Sequence, residues 1–139
     1  MISDLLIFAN LAILMLQVVI VYMGLYKHWA LMSDRATDGK PMLISNTWRN
    51  GTVKEESWDQ VVGNRKFEVH NIEISTAPSL ILAKARSCIN RVKYDLLQYN
   101  CEHFVHEVIT GVAKSTQVKQ ALAISSLTVG ALYLMSRNR

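Results

Sequence analysis

"LLIFANLAILMLQVVIVYMGLY", residues 5–26, contains no Lys, Arg, Asp, Glu or His, and only Asn10 and Gln17 in it are strongly polar. A helix that crosses a bilayer needs about 20 predominantly apolar residues, so the run is long enough to span one. The β-branched "VVIVY" at 18–22 equally suits a strand buried in a sheet. A chain of 139 residues makes one compact domain, and such a domain seldom buries so long an uncharged run. The expected reading is therefore a membrane helix over 1–26, with a first strand as the alternative. Asp4, in place of a basic residue before the run, argues against a cleaved secretory signal.

A second uncharged run, "QALAISSLTVGALYLMS" at 120–136, is followed by Arg137 and Arg139. It reads as a C-terminal membrane anchor over 120–139 whose basic tail suits anionic head groups, or else as a helix packed on the domain. Between the runs, residues 27–119 carry 13 basic and 10 acidic side chains. That balance, with no Lys/Arg block interleaved with aromatics, gives no expectation of a nucleic-acid partner. Cys88 and Cys101 form neither a disulfide framework nor a zinc spacing, which fits a reducing, cytoplasm-facing domain.

Within this middle, "SDRATDGKP" at 33–41 gathers turn formers and reads as a loop. "MLIS" at 42–45 reads as a strand, and Asn50-Gly51 signals a hairpin. "KFEVHNIEI" at 66–74 reads as a strand with one wet face. Pro78 opens a helix that the apolar spacing carries to about Asn90. "VKYDLL" at 92–97 reads as a further strand. The fold expected is α+β, a small antiparallel sheet with helices.

"YNCEHFVHEV", 99–108, crowds one of two cysteines and two of four histidines into one stretch. Asn100 suits an N-cap, Phe104, Val105, Val108 and Ile109 form an apolar stripe, and Gly111 or Lys114 closes the helix. Cys101 thereby falls in the first turn, where the helix dipole lowers a thiol pKa. A thiolate used for acyl transfer also needs an imidazole in reach and a third group to orient it. His103 and His106 are badly phased for this, and packed or exposed scaffold is the expected role of each. His70 falls on the wet face of its strand. His28, in "LYKHWAL", sits where a strand would hold a ring firmly, and periodicity leaves it balanced between scaffold and function. C-x-H-x-x-H is no common zinc spacing, so neither a metal nor a cofactor is expected.

"NCEHFV" at 100–105 resembles the nucleophile motif of the lecithin retinol acyltransferase-like family. "NCEHFVHEVITGVAKSTQVKQA" is similar to its phospholipase A and acyltransferase (H-Ras-like suppressor) branch, as are "VVGNRKFEVHN" at 61–71 and "YKHWAL" at 26–31. The resemblance implies a circularly permuted NlpC/papain-like fold over 27–119. It implies Cys101 as the nucleophile that takes an acyl chain from a glycerophospholipid as a thioester, and His28 as its base. The acyl group would pass to water, to an amine as in N-acylation of phosphatidylethanolamine, or to a lysophospholipid. Membrane phospholipids would be the partners, on a membrane-associated protein whose catalytic domain faces the cytoplasm. The family's second histidine, 12 residues after the first, is Lys40 here, and Asn46 is the expected polar substitute. That loss motivates the alternative of a non-catalytic membrane interaction or remodelling module. A peptidase or amidase of the NlpC type is a weaker third possibility.

Overall fold

The structure is a computed structural model that describes residues 14–113, 115–120 and 122–123. The second half of the opening stretch is a strand: β1, Leu14–Tyr22, followed by β2, Lys27–Thr37, β3, Lys40–Thr47, and β4, Thr52–Glu56. A short helix, α1 (Trp58–Val61), leads to β5 (Phe67–Ile74), and the helices α2 (Pro78–Ser87) and α3 (Cys101–Thr110) complete the chain of elements. The five strands form one antiparallel sheet in the order β4-β3-β2-β1-β5.

Over Val18–Val21 β1 is covered on both faces, while Met15 and Gln17 nearer its start are exposed. Leu16, Val18 and Ile20 join Leu31, Ile44 and Val53 beneath α2 and α3, where Ile81, Leu82, Ala85, Phe104, Val105 and Val108 complete the cluster. Val19 and Val21 point the other way and pack with Ala30, Leu43, Val61 and Val62 under α1. Successive side chains of a strand face opposite sides, so a strand covered on both sides loses the apolar/polar alternation that would have marked it. The expected membrane helix is thus replaced over 14–22 by an interior strand, and β1 carries the sheet back across position 26. No helix among the described residues is long and apolar enough to cross a membrane. Residues 1–13 and almost all of the 120–136 run lie outside the described residues; 116–120 are helical.

Two other expectations change. The loop expected at 33–41 is mostly strand, because only Asp38 and Gly39 turn. Both have positive φ, +54° and +74°, as a two-residue hairpin of the right twist requires. "VKYDLL" makes only isolated bridges, Thr52 with Lys93 and Asp95 with Tyr99. Asp95 breaks it: its carboxylate accepts from the Leu97 and Gln98 N–H groups at 3.0 and 2.8 Å, a side-chain turn that competes with a strand ladder.

Candidate active site

α3 begins where its cap dictates. The Asn100 side chain accepts from the Glu102 and His103 N–H groups at 3.0 and 3.2 Å. In return the Asn100 N–H donates to His103 Nδ1 at 3.1 Å, closing a capping box. Gly111, φ +80°, ends the helix in the left-handed conformation. Cys101 is therefore fixed at the first helical position, 3% exposed, with Sγ 3.8 Å from the Lys27 carbonyl at the start of β2.

His28 follows on β2, opposite Val21, and is 5% exposed. Its imidazole and the Cys101 thiol line one recess of about 250 Å3 together with Thr47, Arg49, Gln60, Arg65 and Tyr94. Cys101 also lines a larger groove of about 590 Å3, walled mainly by Leu25, Tyr26, Trp48, Leu96, Leu97 and Val118. The thiol thus stands where the His28 recess, which mixes polar side chains with Met23, Trp48 and Val61, meets an apolar groove.

Resting electrostatics keep both groups neutral. Burial, then the charges of Arg49 and Arg65, lower the His28 pKa to about 4. Burial pushes the Cys101 thiol up to about 11, against the Trp29, Glu102 and Cys101 backbone N–H groups that favour the thiolate. The lowered thiol pKa expected from the helix start is absent, because desolvation of the sulfur outweighs the helix dipole.

Glu102 is buried beside the thiol and escapes notice in the sequence. Burial alone would raise its carboxyl, but donors from 115–117 hold it below the ordinary range. It accepts from Ser115 Oγ at 2.8 Å, from the Thr116 and Gln117 N–H groups at 3.0 and 3.3 Å, and from Gln117 Nε2 at 3.2 Å. Gln117 in turn clasps Lys27, accepting from its N–H at 2.9 Å and donating to its carbonyl at 3.0 Å. The segment after α3 is thereby tied to the strand that carries His28.

The other candidates divide cleanly. His103 serves the cap and stacks near Tyr99, with ring centroids 6.5 Å apart. His106 packs against Trp29 at 5.4 Å with Nε2 3.8 Å from Glu102, half buried where an exposed position was expected. His70 pairs with Glu68 on exposed β5. Among the described residues no group of three or more His, Cys, Asp or Glu side chains is arranged to hold a metal ion. Asn46 is fully buried, but it lies under α3 on the face of Ile44 and Val53, and its Nδ2 donates to the Tyr99 carbonyl at 2.9 Å. His28 belongs to the opposite face, with Val21 and Ala30. The structure therefore brings His28 and Cys101 to one recess and does not bring Asn46 to them.

A sequence model of the lecithin retinol acyltransferase family matches residues 15–114, from β1 through α3. The chain belongs to this family. Human phospholipase A and acyltransferase 3 is 31% identical over 133 residues, 84% of this chain and 82% of its own. The mouse protein of that name is 31% identical over 143 residues, 86% and 88% of the two chains. Rat phospholipase A and acyltransferase 1 is 29% identical over 128 residues, 81% and 77%. The family match begins inside β1, so residues 15–26 of the stretch expected to span a membrane fall within the family's domain.

Proposed function

We propose that this chain is a thiol-dependent phospholipase A and acyltransferase, as its relatives are named, acting on glycerophospholipids at a lipid surface. The observation that carries the reading is the position of Cys101 at the junction of the His28 recess and the apolar groove. An ester carbonyl held at that junction meets a nucleophile and a base while its acyl chain lies in the groove. Leu25, Trp48, Leu96 and Leu97, from three separate loops, are exposed around the groove, and exposed apolar clusters of this kind mark sites of contact with apolar partners.

In this reading His28 takes the Cys101 proton as the sulfur attacks the ester carbonyl. The tetrahedral intermediate breaks its C–O bond, and the imidazolium returns the proton to the departing lysophospholipid oxygen. Water, an amine or a lysophospholipid hydroxyl then attacks the thioester, gives its proton to His28, and releases the thiolate, which recovers that proton. Because the cap already engages the Glu102 and His103 N–H groups, the Cys101 N–H is the first-turn donor left for the oxyanion. The sheet followed by a helix bearing the thiol is read as the circularly permuted NlpC-type arrangement, with β1 as its first strand.

Incubating the protein with radiolabelled phosphatidylcholine is expected to give a hydroxylamine-sensitive acyl adduct that Cys101→Ser lacks. A folded wild type without adduct, or a Cys101→Ser protein with one, overturns the nucleophile. The first of those results would favour the second reading, a non-catalytic module. Its supporting observation is that the thiol and imidazole both rest neutral, with no hydrogen bond to His28 Nε2.

A further inference from the structure

Four buried side-chain polar atoms among the described residues lack a hydrogen-bond partner: His28 Nε2, Trp29 Nε1, Ser45 Oγ and Asn46 Oδ1. An orphaned buried polar group costs about 1–3 kcal/mol, so each calls for a reason. They sort by face. Trp29 and Asn46 lie under α2 and α3; alternation along β2 and β3 puts His28 and Ser45 together on the other side, with Ala30 and Leu43.

β2 and β3 pair Leu31 with Ile44 and Met32 with Leu43, and the one irregularity between them lies beyond Met32, toward the hairpin. Continued the other way, this register sets Ser45 opposite Ala30 and Thr47 opposite His28. Ser45 is then the diagonal cross-strand neighbour of His28, a relation in which Cβ atoms lie about 7–8 Å apart or somewhat less. That gap is spanned by an imidazole and a hydroxyl reaching toward each other. Thr47, directly opposite, already accepts from the Asn50 N–H at 3.2 Å through Oγ1. Ser45 is 0% exposed and its hydroxyl is unengaged, one staggered rotation from new partners.

We propose that Ser45 is the positioning residue for His28, its Oγ accepting the Nε2–H and so leaving Nδ1 unprotonated toward the Cys101 thiol. Rotation of the Ser45 hydroxyl would let the two orphans on this face satisfy each other. Ser45, and not Asn46, then does the work expected of the family's second histidine. A buried imidazole with an unfixed tautomer presents a lone pair to the thiol only part of the time, whereas a held Nε2–H presents it always.

The catalytic part of this inference rests on the function proposed above, so its test has a readout that does not. Ser45→Ala removes one hydroxyl from a packed site and keeps the fold. In 15N-histidine spectra of the full chain, wild-type His28 is expected as the Nε2–H tautomer, and Ser45→Ala as a mixture. On a short-chain phosphatidylcholine the variant is expected to lose kcat by roughly 10-fold to 100-fold with KM nearly unchanged, since Ser45 touches no substrate. An unchanged tautomer in Ser45→Ala, or an unchanged kcat in a protein that turns over, overturns the assignment. A tautomer shift in a chain with no phospholipase activity sustains the hydrogen bond and overturns the enzyme reading instead.

Discussion

Asn46 and Ser45 are adjacent in sequence and opposite in consequence. The Asn46 amide supports the turn before α3 by donating to the Tyr99 carbonyl, one residue from the cap. Asn46→Ala is expected to destabilise the chain by about 0.5–1.5 kcal/mol, read as a lower urea midpoint, because that carbonyl keeps only the Asp95 N–H, at 3.0 Å. The His28 tautomer should not move, which separates this scaffold from the Ser45 contact. Which of the two faces the imidazole was hidden from the sequence. A strand inverts its faces at every residue, so the answer depends on a register that no local signal near 40–47 reveals.

Among the elements, α3 was the most legible and β1 the least. Asn100, the apolar stripe and Gly111 are local signals, and each acts in the structure as its chemistry dictates. For the same reason Cys101 was placed correctly at the helix start, though its pKa was not, since desolvation comes from β2 and the loops packed around it. β1 was misread because over Val18–Val21 it is enclosed by α1 on one side and by α2 and α3 on the other, a stretch that needs no polar residues. Composition then matches a bilayer span, and only the partners distinguish them. Phe104 carries α3 onto the sheet and is wholly buried. Phe104→Ala is expected to cost about 3–5 kcal/mol in chemical unfolding, the range for loss of a buried aromatic, and to make the Cys101 thiol more accessible.

For the whole molecule, His28 and Cys101 are two of the groups that shape the pH range of stability, and His103, lowered chiefly by burial, adds to the acid side. The unfolded chain binds a proton on His28 below about 6.5, whereas the folded chain does not until about 4. Stability therefore falls as pH drops through that window, by up to about 3 kcal/mol at 1.36 kcal/mol per unit. On the alkaline side the unfolded Cys101 thiol ionises above about 9 and the folded one only near 11, so stability falls again as pH rises between them. Glu102, held below its ordinary range, adds a loss at still lower pH. Urea midpoints are expected to peak between about pH 6.5 and 9, and His28→Leu should flatten the limb between 6.5 and 4.

The clasp between Gln117 and Lys27 joins positions 90 residues apart, and β5 reaches back across much of the chain to pair with β1. The β1–β4 meander, by contrast, closes through short hairpins. Loop closure penalises distant contacts, so the meander is expected to form first in refolding and the surroundings of the thiol last. Until that step Cys101 is expected to react as an exposed thiol, so thiol labelling during refolding should fall only as the Gln117 clasp closes over the residue on which the proposed chemistry depends.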